Sequence, residues 1–345
     1  MIGTNGSTNG RKFRDMDFGF DRFSGLYIWG LFIIIFALWV PDSFLDMNTA
    51  RGLASEKSII VLLALALMIP LAAGAYDLSI GATTNISAVL VAQLQTANGW
   101  GMWSAIAMAV GVGFVVGVVN GFVVVKLKVN SFIATLAMAS IIASVIIIIT
   151  GQRQPVPPMD EQWRNLTQFQ IFGFQSVALI VLAFALILWW FMQHTPSGRY
   201  LYAVGGNAEA ARLSGVKVGK WTWISLIISG TTCGIAGVLY ASLVGVSLTF
   251  GGALLLPAFA AVFLGSTQFM PGKFNVWGTV LAVIVLATGV KGLQLATGQQ
   301  WLETMFNGVA LIAAVSFAVW RQKQSKVRTR EKELEARDAS RTSDQ

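Results

Sequence analysis

One cysteine and one histidine are all that 345 residues carry of the two side chains most used for disulfides and transition metals. Cys233, standing alone, excludes an intrachain disulfide, and its apolar surroundings read as core packing. His194 has no second imidazole or thiol to complete a metal site, and it stands at the end of an apolar run. A Ser-His-Asp arrangement lacks any supporting local motif. Charge is scarce as well: 12% of residues are charged, against about 25% in a soluble domain, so the chain cannot cover two soluble cores with a polar skin. The formal charge of +8 does not argue for nucleic acid, because the basic residues sit in short segments between apolar runs and in the tail, where they read as topology signals. A nucleotide-binding P-loop is also missing. The stretch GVKVGKW at 215–221 has one residue too few between its glycines, and Trp221 stands where a hydroxyl must hold magnesium. The chain therefore reads as no enzyme, with no cofactor of its own.

What is present is hydrocarbon. Residues 26–40, 59–76 and 100–125 carry no charge, and runs near 20 residues long span a bilayer as helices. The expected fold is an all-α polytopic membrane protein with about ten transmembrane helices. The spans are placed near 24–40, 59–76, 80–96, 101–125, 131–149, 173–192, 222–242, 253–270, 275–293 and 302–320. Those at 80–96 and 253–270 are candidates for tilted or broken helices. The first holds Thr83, Thr84, Asn85, Ser87 and Gln93, and the second holds Pro257. An even number of spans puts both termini on one side, and a cytoplasmic placement sorts the basic residues. Arg11, Lys12, Arg14, Arg22, Lys126, Lys128, Arg199, Arg212, Lys217, Lys220, Lys273 and the tail from Arg321 fall inside; Arg51, Lys57, Arg153, Arg164 and Lys291 fall outside. No small-residue cleavage site follows the basic N-terminus, which predicts a retained first helix rather than a cleaved signal peptide.

The expected organisation is a cytoplasmic segment 1–23, a membrane domain 24–320 and a charged cytoplasmic tail 321–345. An external loop, 150–172, is stiffened by Pro155, Pro157 and Pro158, and a cytoplasmic loop covers 193–221. Gly111, Gly113, Gly117 and Gly121 in one span, and Gly230, Gly234 and Gly237 in another, suit close helix packing. The loop 193–221 contains GGNAEAARLSG, which reads as one short helix: Asn207 caps it, Glu209 complements its positive end, and Gly215 takes the left-handed exit. Ala208, Ala210 and Ala211 make it thin enough for a shallow groove, with Arg212 and Lys217 to fix it electrostatically. It lacks the large apolar face of a bilayer-adsorbed helix, so docking against a protein is preferred. Asp77, in DLSIG, is the best candidate for a buried acid, with an N-cap as its simpler role. Without an engine, two classes remain: a permease powered by a partner, and an ion-coupled secondary transporter of a small polar solute.

Four stretches in order carry a resemblance: DLSIG at 77–81, VNGFVVVKLKVNSFIATLAM at 119–138, YAVGGNAEAARLSGVKV at 202–218 and AFAAVFLG at 258–265. Over residues 25–320 the chain resembles the permease subunit of bacterial ABC importers in the ribose, xylose and arabinose branch. The resemblance implies a translocation pathway for a monosaccharide or related small polyol in the bacterial inner membrane. It implies as partners a cytoplasmic ABC ATPase that uses ATP and magnesium, an extracytoplasmic solute-binding protein and a second permease copy. Gly206, Asn207, Glu209, Ala210, Ala211, Arg212, Ser214 and Gly215 would form the segment coupled to the ATPase. Asp77, Ser79, Gly81 and Asn85 would shape the path, while Asn130, Ser131, Phe132 and Thr135 orient helices. The chain departs from the family where Leu255, Leu256 and Pro257 replace an acidic stretch, and where Ser266 follows Gly265 in place of a glycine pair.

Overall fold

The computed structural model describes residues 20–317, with side-chain environments from residue 23. Most of the N-terminal segment 1–23, the end of the last expected span (318–320) and the tail 321–345 lie outside the described residues, and so do the basic residues at 11–14 and from Arg321 onward. In chain order the elements are α1 (Phe20–Trp39), α2 (Pro41–Phe44), α3 (Met47–Ala72), α4 (Ile80–Thr96), α5 (Met102–Val125) and α6 (Ser131–Thr150). Then come α7 (Glu161–Gln168), a hairpin of β1 (Gln170–Ile171) and β2 (Phe174–Gln175), α8 (Ser176–His194), α9 (Pro196–Gly206) and α10 (Ala208–Leu213). The last are α11 (Val218–Leu243), α12 (Gly251–Gly265), α13 (Val276–Thr297) and α14 (Trp301–Phe317).

Six helices, α3, α5, α6, α8, α11 and α13, are long and apolar enough to cross a membrane, and Phe23–Trp39, α12 and α14 are shorter apolar helices. The chain is a polytopic α-helical membrane protein, apart from the small hairpin. The segments 80–96 and 253–270 differ from expectation. α4 runs unbroken despite its polar residues, because its hydroxyls turn inward: Thr84 Oγ1 donates to the Ile80 carbonyl at 2.8 Å and Ser87 Oγ to the Ala109 carbonyl at 3.0 Å. α12 stops at Gly265 rather than 270. Asn275 caps α13, its side chain accepting from Gly278 N at 2.7 Å, and this needs the turn before it. The second span starts earlier, at Met47. Arg51, Glu56 and Lys57 therefore lie on α3 itself rather than in a loop.

α3 is the hub. From Leu62 to Leu71 it is buried on every face, against α8, α11, α12 and α13. α5 and α11 form the closest pair, antiparallel with small residues opposed. A Cβ at Gly113 would meet the Gly230 carbonyl, one at Gly117 would meet the Leu226 carbonyl, and one at Gly121 would meet the Trp223 ring. Backbones approach this way when lipid supplies no hydrophobic drive between helices. Cys233 is fully buried within the same bundle. α6 lies at the edge and turns Ile133, Ile141 and Ile148 outward. The loop 150–172 is more than a proline-stiffened strap: its helix α7 inserts Trp163, which is 1% exposed, and Thr167 Oγ1 bonds Ser242 Oγ at 2.8 Å.

Candidate functional site

GGNAEAARLSG forms parts of two helices, not one. α8 ends at His194, and Thr195 then caps α9, its hydroxyl accepting from Gly198 N at 3.3 Å and donating to the Phe191 carbonyl at 2.6 Å. Pro196 opens α9, where its missing N–H is not needed. Gly198 lets α9 fold back on α8, since a Cβ there would strike the Met192 backbone; at Gly205 a Cβ would strike the Ala72 carbonyl at the end of α3. Tyr202 Oη donates to the Phe274 carbonyl at 2.7 Å, and burial pushes its phenol pKa up to about 12. α9 is thus clamped between the ends of α3 and α8 and the turn before α13.

Asn207 is both the end of α9 and the cap of α10. Its backbone is extended, and its Oδ1 accepts from Glu209 N at 3.1 Å and Ala210 N at 3.0 Å. The exit is at Gly215, φ +83°, as the left-handed position requires. Ala211 alone of this segment turns inward, while Gly206, Asn207, Glu209, Ala210, Arg212, Ser214 and Gly215 face outward. Leu213, 79% exposed, gives this polar surface one large apolar side chain. Glu209 and Arg212 pair with each other at 2.6 Å, so Arg212 is engaged within the helix rather than waiting with Lys217. Being well exposed, that pair contributes well under ~1 kcal/mol. Its effect is to hold two opposite charges side by side on the surface. Six residues cannot hold a helix in water unaided. Asn207→Ala, which removes about 1 kcal/mol of capping, is therefore expected to speed amide exchange at Glu209 and Ala210 about fivefold with the α9 amides unchanged, read by hydrogen exchange.

The other candidates form a seam inside the bundle. Between α3 and α4 the chain leaves helical geometry at Gly74 (φ +76°), and side chains capture its free backbone donors. Tyr76 N donates to Ser131 Oγ at 3.0 Å, Leu78 N to Thr135 Oγ1 at 2.9 Å, and Ser79 N to Asp77 Oδ1 at 3.0 Å. Ser131 and Thr135 thus tie α6 to the break. Ser79, not Asp77, is the cap residue of α4. Asp77 is 1% exposed; its Oδ1 also accepts from Ser79 Oγ at 2.6 Å and its Oδ2 from Ser229 Oγ at 2.8 Å. Asn120 Nδ2 completes the set, donating to Ser79 Oγ at 2.9 Å. Gly81 lies against Gly251 so closely that neither admits a Cβ, and Asn85 Nδ2 donates to the Leu248 carbonyl at 2.6 Å. Asp77, Ser79, Gly81 and Asn85 are all buried, holding α4 to α5, α11 and the start of α12. Ser229 and Asn120 were not singled out from the sequence, although each is a polar residue inside an apolar run. Among the described residues no three of His, Cys, Asp and Glu come together as a metal site.

The chain is similar to known permeases over most of its length. A family model described as branched-chain amino acid transport system / permease component matches residues 50–315. The L-arabinose transport system permease protein AraH of Escherichia coli (strain K12) is 30% identical over 326 residues, 92% of this chain and 97% of its own length. The ribose import permease protein RbsC of Bacillus subtilis (strain 168) is 31% identical over 295 residues, 83% of this chain and 89% of its own. The D-allose transport system permease protein AlsC of Escherichia coli (strain K12) is 27% identical over 297 residues, 86% of this chain and 91% of its own.

Proposed function

We propose a role that proceeds from the family: the chain belongs to the branched-chain amino acid transport system / permease component family, and it serves as the membrane permease of an ABC importer. Its solute is small and polar. The substrate class we assign is a monosaccharide or related polyol, supported by the arabinose, ribose and allose named for its relatives. In this reading ten helices, α1, α3, α4, α5, α6, α8, α11, α12, α13 and α14, cross the bacterial inner membrane with both termini cytoplasmic. Two copies enclose the path, and a solute-binding protein delivers from outside. A separate ATPase spends ATP and magnesium from inside. The seam of Asp77, Ser79, Gly81 and Asn85 sets the helix break beside the path, and no covalent chemistry occurs on this chain.

One observation carries the assignment. α10 is a capped, exposed helix on a rigid base: Gly205 of the preceding α9 lies against the end of α3, whose residues from Leu62 to Ala72 are all buried. Force applied to α10 therefore reaches the membrane core without first being absorbed by a slack linker. The direct test combines Glu209→Ala with Arg212→Glu in the assembled transporter. ATP-dependent uptake is expected to fall about tenfold, the effect of losing ~1.4 kcal/mol of docking energy, with the yield of folded chain unchanged. Unaltered assembly and uptake would sink the coupling role. Uptake by this chain alone, abolished when the ion gradient is collapsed, would instead make it a secondary carrier.

A further inference from the structure

On the side of the bundle away from α10, a cleft of about 730 Å³ opens between α12, α13 and α14 over Ile60, midway along α3. That volume is within the roughly 300–1,000 Å³ of small-molecule sites. Asn307 on α14 lies on its floor and also lines a cavity of about 20 Å³ behind it. The residue is 6% exposed, yet its amide has no hydrogen-bond partner among the described residues. Its amide is therefore free to bond water or a solute that enters the cleft. Glu303, one turn earlier on α14, accepts from Lys57 Nζ at 2.8 Å and from Gln294 Nε2 at 3.3 Å. The lysine and glutamate neutralise each other, so this wall offers polarity without net charge. Across the cleft Pro257 interrupts the hydrogen bonding of α12: with no N–H at 257, the exposed Ala253 loses the donor its carbonyl would have had. That carbonyl, the Asn307 amide and the Thr304 hydroxyl supply acceptors and donors around one space.

The geometry points to this cleft as a binding site of the permease itself, for a neutral, hydroxyl-bearing solute on the external side. Each hydroxyl group both donates and accepts, which matches a wall of amides, a hydroxyl and a freed carbonyl around an internally neutralised ion pair. An inorganic ion finds no uncompensated charge there, and an apolar solute would leave Asn307 unbonded. The inference rests on the importer reading and goes beyond it by giving the solute a station on this chain. It also gives a use to Pro257, one of the three residues that the resemblance sets in place of an acidic stretch.

The test uses the transporter assembled with its ATPase and binding protein in right-side-out vesicles. Asn307→Cys and Thr304→Cys are compared with Met159→Cys, a highly exposed position outside the cleft, by labelling with a membrane-impermeant methanethiosulfonate. Native Cys233 is buried and stays silent. D-ribose, L-arabinose and xylitol are the probes, with sodium chloride as the ionic control. At least one hydroxylated probe is expected to slow labelling at both cleft positions about threefold when supplied at twice its Kd, leaving Met159→Cys unaffected. If the Asn307 variant does not assemble, Thr304→Cys gives the same reading. Labelling that no probe slows, or that occurs at neither position, overturns the cleft site. If ATP-driven uptake of a probe persists in that case, only this inference fails; if the wild-type assembly shows no ATP-driven uptake of any probe, the importer reading fails with it.

Discussion

Asp77→Ala is expected to lower the stability of the folded chain by several kcal/mol, roughly 1–3 kcal/mol for each buried group it leaves without a partner. Three donors lose their acceptor together: Ser79 N, Ser79 Oγ and Ser229 Oγ. None can turn to water, since Asp77 and Ser79 are 1% exposed and Ser229 is 0% exposed. Asn120 loses its anchor as well, because its Nδ2 donates to the Ser79 hydroxyl that Asp77 holds in place. The measurement is the thermal midpoint of the purified chain in detergent, followed by the monodisperse fraction on size exclusion. Asp77→Asn is expected to lose much less. Its amide oxygen still accepts from Ser79, and the Ser229 hydroxyl can rotate to accept from the amide nitrogen. Equal midpoints for Asp77→Ala and wild type would show that the seam does not hold the α3–α4 break.

Gly117→Val is the second large effect. The new Cβ would enter the Leu226 carbonyl and the Ile227 backbone, which no change of rotamer can move aside. Overpacking a well-packed core costs about 1–3 kcal/mol, and a helix backbone as the obstacle places this case at the upper end. Because α5 and α11 run antiparallel with Gly113 and Gly117 both against α11, separating them at Gly117 also opens the Gly113–Gly230 contact. Gly111→Val, six residues earlier and with nothing within 4 Å of its Cβ, is expected to stay within about 0.5 kcal/mol of wild type. The pair is read by thermal midpoint and by yield of folded protein. Equal midpoints at both positions would show that the α5–α11 contact at Gly117 does not set the outcome.

α3 links the cleft to α9. Its residue Ile60 lines the polar cleft, and its Ala72 carbonyl touches Gly205 of α9. At about 1.5 Å per residue those points lie roughly 18 Å apart on a single helix. In the proposed importer, solute in the cleft and force on α9–α10 would act on the same rigid body.

The sequence by itself determined that the chain lives in a membrane, roughly where its helices run, and the cap and exit of α10. Long uncharged runs and the Asn207–Gly215 frame are local signals, written within about 20 residues. That α9 ends and α10 begins at Asn207 was less legible, since an extended cap residue in the middle of GGNAEAARLSG reads locally as either a start or a continuation. Only the tertiary structure decided what the polar residues meet. Asp77 finds Ser229 across a separation of 152 residues, and Lys57 finds Glu303 across 246. Asn307 is left facing a cleft. In water, an amphipathic stripe announces which side of a helix turns inward. Helices that are apolar all round carry no such stripe, so the rotation of each about its axis is set by glycine contacts and buried hydrogen bonds that exist only once the bundle has packed.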